Sequence, residues 1–223
     1  MIGVLLVDDH KLIRTGIKLM LEKTTDIRVL GEASSGEEAV EQARALKPQV
    51  ILMDVSMPGI GGLEATRKLA MSLPDAKVIV LSAQTAEPFP MRLMEAGASG
   101  YLTKDSAEEE IITAIRRVNA GERYIAAEIA RSLALQAVNR NSNAGGSPFD
   151  QLSAREMQVM IMATGGHSVQ DISDKLHLSP KTVSTYRSRL FEKLGVGNDV
   201  ELMRLALRYG VIEEKTSGGP GVS

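Results

Sequence analysis

The sequence predicts a doubly wound α/β domain with a five-stranded parallel sheet, followed by a separate all-α domain. Three observations carry that expectation. Short, β-branched apolar runs recur five times in the first half. Stretches with helical spacing lie between them, and from Phe149 to about Tyr209 no strand-like run occurs. Strand alternating with helix reads as a parallel sheet covered on both faces, with right-handed crossovers.

The runs are "GVLLV" (3–7), "RVLGEA" (28–33), "QVILM" (49–53), "KVIVLS" (77–82) and "GYLTK" (100–104). Between them, Ile13, Ile17, Met20 and Leu21 share one helical face, as do Ala39, Val40, Ala43 and Leu46. Ile111, Ile112, Ile115 and Val118 form the face of the last helix of this half. A helical stretch, "AAEIARSLALQAV" (126–138), leads into "NRNSNAGGSP" (139–148), whose Asn, Ser and Gly content reads as a flexible linker. The expected organisation is therefore a first domain at 1–122, a connecting helix and linker at 123–148, a helical domain at 149–213 and a disordered tail at 214–223.

Composition narrows the function classes. The 223 residues include no Cys, so there is no disulfide framework or thiolate metal site, in keeping with a cytoplasmic protein. Aromatics make up 3%, so the cores must be aliphatic. Asp8 and Asp9 interrupt the only early apolar run, which argues against a signal peptide, and no run is long enough for membrane insertion. The net charge of −2 hides a local difference: residues 126–223 carry 11 Lys/Arg against 10 Asp/Glu, whereas the first half is acidic.

Ligands of open parallel sheets bind at the carboxyl ends of the strands. Here those ends carry Asp8 and Asp9, then Asp54, Ser82 and Lys104. Each polar residue alone could simply cap the next helix. Together they place three carboxylates, a hydroxyl and an ammonium on one sheet edge. Three adjacent carboxylates need compensation, which a hard cation such as Mg²⁺ supplies. Asp54 is then a nucleophile for phosphorus, with the metal and Lys104 neutralising the phosphoryl oxygens and Ser82 donating a hydrogen bond. "MPGIGG" (57–62) is a turn that shapes one wall of this site, and His10 reads as a rim residue.

The helical half carries a second signal. A short helix around Ile172 and Leu176 is followed by the turn "HLSP", with Ser179 as N-cap and Pro180 at the first helical position. The next helix, 181–194, turns Val183, Leu190 and Leu194 inward, and residues 180–193 hold four cations against one anion, Glu192. That charge could belong to a solvated bundle helix, or to a helix-turn-helix at about 169–188.

A resemblance decides between these readings. "VDDH", "LMDVSMPGIGGLE", "VLSA" and "GYLTK" resemble the receiver domain of two-component response regulators, a flavodoxin/CheY-like fold. "LSAREMQVM" and "ISDKLHLSPKTVSTYRSRLFEKLGV" are similar to the LuxR-type DNA-binding domain. The pairing is that of the NarL/FixJ family, and "EPFPMRLMEAGASGYLTK" and "SPFDQLSARE" bring it closest to the GacA/UvrY type. The resemblance implies Asp54 as phosphoacceptor, Mg²⁺ held by Asp8, Asp9, Asp54 and the Ser56 backbone carbonyl, Ser82 and Tyr101 as a switch pair, and Lys104 on the phosphoryl group. Asp105 stands where many receivers have Pro. It further implies Ser184, Thr185 and Ser188 facing bases, with Lys181, Thr182, Arg187, Arg189 and Lys193 among the DNA contacts. The implied partners are a hybrid GacS/BarA-type sensor histidine kinase, promoter DNA of small regulatory RNA genes, RNA polymerase and a second copy of the chain on activation. Its only enzymatic step is phosphoryl transfer to Asp54 and the hydrolysis of that phosphate. An Mg²⁺-dependent phosphatase would need a general acid that is not evident after Asp54, and a module that binds no DNA would tolerate loss of the basic helix.

Overall fold

In the computed structural model, described for residues 1–55, 57, 59–82, 89–127, 129–131, 148–176 and 178–209, the first half is a parallel sheet flanked by helices. The elements run β1 (Ile2–Val7), α1 (Lys11–Glu22), β2 (Ile27–Ala33), α2 (Gly36–Leu46), β3 (Val50–Asp54), α3 (Gly61–Ser72), β4 (Lys77–Ser82), α4 (Phe89–Glu95), β5 (Gly100–Thr103) and α5 (Glu108–Asn119). A sixth strand, β6 (Tyr124–Ile125), closes the edge, giving the order β2-β1-β3-β4-β5-β6.

The sheet thus has six strands rather than the expected five. Two residues are too few to show alternation, so Tyr124 and Ile125 read as the start of the connecting segment. They are placed by backbone bonds instead, Tyr124 N–H to Ser99 O (3.1 Å) and Ala126 N–H to Tyr101 O (3.0 Å). The Arg117 guanidinium lies over the Tyr124 ring, 5.5 Å from its centroid. Within the expected connecting helix, residues 127 and 129–131 are helical. The rest of that helix, most of the linker and the tail lie outside the described residues.

The central strands β1, β3 and β4 are buried almost throughout, as a sheet covered on both faces requires. Met20 and Leu21 of α1, Ala39 and Ala43 of α2, and Ile111, Ile115 and Val118 of α5 pack on it as their spacing predicts. Leu46 is the exception: it lies at the exposed end of α2. Glu108, Glu109 and Glu110 open α5 and Arg116 and Arg117 close it, an arrangement that complements the helix dipole.

The second domain holds a 3₁₀ turn (Pro148–Gln151) and helices α6 (Ala154–Thr164), α7 (Val169–Leu176), α8 (Pro180–Leu194) and α9 (Asp199–Arg208). Its apolar centre includes Phe149, Met157, Met160, Ile172, Val183, Leu190 and Leu202. Ser179 caps α8, its hydroxyl accepting the Thr182 N–H at 3.1 Å, and Gly195 ends that helix at φ 66°. No helix among the described residues is long and apolar enough to cross a membrane.

One carboxylate holds two parts of this domain together. Ser153 and Glu156 form a capping box at the start of α6. The same Glu156 Oε2 accepts from Lys193 Nζ on α8 at 2.7 Å. Burial by itself would raise the Glu156 pKa. The Lys193 ammonium and the Ser153 donors outweigh that effect and hold it below the usual carboxylate value. A depressed folded-state pKa gives stability that is present above the unfolded value, about 4.3, and lost as pH falls through the folded one. Glu156→Gln keeps the cap shape and removes the charge. It should cost about 1.5–3 kcal/mol in denaturant unfolding at pH 7, and the gap to wild type should close as pH drops below about 4.

Candidate functional site: an acidic sheet edge and a basic helix

Strand register brings the chemistry-bearing residues to one edge. Asp8 directly follows β1, Asp54 and Ser82 end β3 and β4, and Lys104 directly follows β5. The Lys104 N–H donates to Ser82 O at 2.9 Å, which continues the β4–β5 pairing past the last strand residue. Gly62 lets the start of α3 come against this edge: a Cβ there would stand 2.0 Å from Asp54 O. The "GIGG" turn therefore does form one wall.

Asp8 and Asp54 are 3% and 2% exposed, so their charges are compensated by protein rather than water. Lys104 Nζ lies 2.7 Å from Asp8 Oδ2 and 2.9 Å from Asp54 Oδ2. Burial alone would lower the lysine pKa, but the Asp54 charge and the contacts with Asp8 outweigh it and hold it above its usual value. His10 reaches the other side, with Nδ1 2.8 Å from Asp9 Oδ1 and 3.2 Å from Asp8 Oδ1. Arg14, which the strand-end pattern does not single out, donates to Asp8 O at 2.6 Å and is itself held by Glu32 at 3.2 Å. Its only sequence signal is a cation one helical turn into α1.

Whether these residues suit a metal can be tested on the geometry. One ligand atom from each of Asp8, Asp9, His10 and Asp54 lies within 4.8 Å of all the others. Asp8 Oδ2 and Asp9 Oδ1 are shielded from solvent, with Lys104 Nζ 2.7 Å from the first and His10 Nδ1 2.8 Å from the second. Hard oxygen donors with unused lone pairs fit a hard divalent cation such as Mg²⁺, for which the imidazole is the less suitable member. Ser56 lies outside the described residues.

Tyr101 is fully buried within β5 and hydrogen-bonded to Ser82. Burial is the main reason its phenol is pushed up to about 12; the Ser82 bond opposes this and the Asp54 charge adds to it. The Ser82 and Tyr101 hydroxyls are thus already joined, with the tyrosine inward.

In the second domain, α7 and α8 are joined through Ser173, whose hydroxyl donates to Leu178 O at 2.6 Å. Lys181, Ser184, Thr185, Ser188 and Arg189 all face solvent on α8. The Ser184 and Thr185 hydroxyls bond back to the carbonyls of Pro180 and Lys181, both at 3.0 Å. Thr182 is half-buried and its hydroxyl is 2.7 Å from that of Ser179, within the cap. Two of the four cations have partners inside the domain: Arg187 pairs with Asp199, and Lys193 with Glu156. Residue-type counting cannot see those partners.

An acidic strand-end cluster facing a lysine, carried ahead of a helix-turn-helix, defines a two-domain regulator. Residues 4–116 match the response regulator receiver domain, and residues 150–206 match the luxR family of bacterial regulatory proteins. The chain belongs to the response regulators, in the class that joins a receiver to a LuxR-type domain. It is 55% identical over 213 residues to response regulator GacA of Pseudomonas aeruginosa, covering 96% of this chain and 99% of that one. It is 52% identical over 216 residues to response regulator UvrY of Escherichia coli, covering 97% and 98%. Among solved structures it is similar to RcsB of Salmonella enterica serovar Typhimurium, bound to promoter DNA in the presence of the phosphomimetic BeF₃⁻. That likeness has a TM-score of 0.61 at 26% identity and covers 92% of this chain and 97% of that one.

Asp9 is the more exposed of the two acids after β1 and has no lysine against it. Asp9→Asn should weaken Mg²⁺ binding by about tenfold or more, because affinity at such sites follows ligand charge. Thermal unfolding without metal should be unchanged or slightly raised, since a repulsion is removed. Calorimetric titration and a melt check both, and a melting point lower by several degrees would make Asp9 a structural residue instead.

Proposed function

We propose that this chain is a phosphorylation-activated, DNA-binding transcription regulator that accepts a phosphoryl group on Asp54 from a sensor histidine kinase, of the hybrid GacS/BarA type. The observation that carries the reading is the buried Asp8–Lys104–Asp54 arrangement at the sheet edge. An Asp54 carboxylate oxygen bonds to phosphorus while the bond from phosphorus to the kinase's phosphohistidine nitrogen breaks. Asp8, Asp9 and Asp54, with the Ser56 backbone carbonyl, would hold Mg²⁺, which when bound would neutralise charge at the phosphoryl oxygens. Lys104 already sits against Asp54 Oδ2 and shifts to the added oxygens. Ser82 donates to the phosphoryl group, trading part of its bond with Tyr101. Hydrolysis of the acyl phosphate returns the chain to its starting state.

The added charge favours one of two receiver conformations, a population shift rather than a new structure. The favoured form pairs with a second copy, and two α8 helices then reach half-sites about one DNA turn apart. Ser184, Thr185 and Ser188 face the bases, and Lys181 and Arg189 face phosphates. Thr182 and Arg187 stand at the edge of that surface, and Lys193 serves the fold through Glu156. Short hydroxyls discriminate bases weakly, so DNA shape contributes to site choice. The sites are cytoplasmic promoters, those of small regulatory RNA genes, where RNA polymerase is the further partner.

Two measurements test the reading. Asp54→Asn should take up no phosphate from a small phosphodonor, and its DNA binding should not respond to that donor; a donor-dependent response in the variant would overturn the assignment. Lys181→Ala should weaken binding to all sequences alike and reduce the slope of log affinity against log salt by about 1. A slope unchanged from wild type would remove Lys181 from the phosphate contacts.

A further inference from the structure

Arg14, in the first turns of α1, takes no part in the chemistry at Asp54, yet its side chain is only 14% exposed. Nη1 donates to Asp8 O at 2.6 Å, and Nε donates to Glu32 Oε2 on β2 at 3.2 Å. One helical turn on, Lys18 Nζ holds the other Glu32 oxygen at 3.1 Å. The Lys18 bond is the main reason the Glu32 carboxyl lies below its usual range; the Arg14 bond adds to it, and burial opposes both. Glu32 is thus a fixed charge on the edge strand, and the guanidinium is a rigid fork between it and the Asp8 carbonyl.

That carbonyl belongs to the peptide joining the two acids. A peptide unit is planar, so anchoring Asp8 O also fixes the Asp9 N–H and the direction in which the Asp9 side chain departs. The Asp8 N–H is tied to the same strand, donating at 3.1 Å to the carbonyl of Ala33, the residue after Glu32. The Asp8 carboxylate has holders of its own, Lys104 Nζ at 2.7 Å and the His10 N–H at 2.8 Å. Against the Asp9 carboxylate stands the His10 ring, itself 64% exposed. Of the two acids, Asp9 therefore owes its direction to the backbone.

We infer that Arg14 is a positioning residue for the metal site, with Glu32 as its anchor: the fork sets the Asp8–Asp9 peptide plane and so keeps the Asp9 carboxylate within reach of Asp8 and Asp54. This inference rests on the Mg²⁺ reading of that cluster. Arg14 is no ligand, because a guanidinium has no acceptor to offer. Its charge works in the other direction, since a cation beside a cation site weakens metal binding. Charge alone thus predicts that removing Arg14 tightens Mg²⁺ binding. Positioning predicts the opposite sign.

Calorimetric titration of the full-length, unphosphorylated chain with Mg²⁺ separates the two. Arg14→Met keeps the stem and removes the fork; it should bind Mg²⁺ about tenfold more weakly, as loss of a ligand's supporting hydrogen bond typically does. Arg14→Lys keeps the charge but not the fork, so its loss, about threefold or more, reports geometry alone. It carries the test by itself if the Met variant has no cooperative melt. Combination with Asp9→Asn shows through which acid Arg14 acts: in that background Arg14→Met should change affinity by less than about twofold. Uptake of phosphate from a small phosphodonor should need about tenfold more Mg²⁺ in Arg14→Met, with the rate at saturating Mg²⁺ retained. An affinity equal to or tighter than wild type in either Arg14 variant overturns the inference, as does a full tenfold loss persisting beside Asp9→Asn. Absence of Mg²⁺ binding by wild type overturns the metal reading and the inference together.

Discussion

The contact on which most else depends is that of Lys104 with two buried carboxylates. Asp8 and Asp54 come from strands that are neighbours in the sheet, and each is nearly removed from water. Two such charges side by side repel strongly in a medium less polarisable than water. The ammonium reaches both from the end of β5, two strands away from β3; burial works against its charge, and the two carboxylates outweigh that and hold its pKa above the usual value. The sheet order therefore decides the site: only with β1 and β3 adjacent, and β4 and β5 beyond, do an acid pair and its counter-ion meet at one edge. A further negative charge at this edge would therefore meet a lysine that is already committed to two carboxylates.

Much of this was legible in residue order, because periodicity and strand ends are local properties. The five longer strands, the faces of α1, α2 and α5, and the cap and first turn of α8 follow from alternation, spacing and Ser-Pro chemistry. The misses have physical causes. The strand β6 rests on two residues held by backbone bonds, which leave no mark on side-chain type. Arg14 acts through a carbonyl oxygen, an acceptor that every residue has. His10 sits at the rim with its ring largely exposed, yet it lies closer to both acids than a bystander would.

The interdomain contacts are invisible to sequence reading for the same reason. Gln158, Arg155 and Arg92 all donate to main-chain carbonyls, so nothing at Val55, Gly59, Phe149 or Leu152 announces a partner. Gly61 is the one readable trace, and by itself it reads as a turn. Such contacts specify position through acceptors that every residue carries.

The cations of the helical domain divide into engaged and open ones. Of the four cations on α8, Arg187 and Lys193 are engaged by Asp199 and Glu156, while Lys181 and Arg189 carry no ion pair among the described residues. Residues 126–223 as a whole are close to neutral. A single copy therefore has a small number of phosphate contacts to offer, and phosphate contacts supply most non-specific affinity. Were two copies to engage together, linking the two events would raise the effective concentration of the second. That gain vanishes if the paired domains cannot face both half-sites. The face of α8 that carries Lys181, Ser184, Thr185, Ser188 and Arg189 is already open to solvent, so its exposure needs no rearrangement within the helical domain.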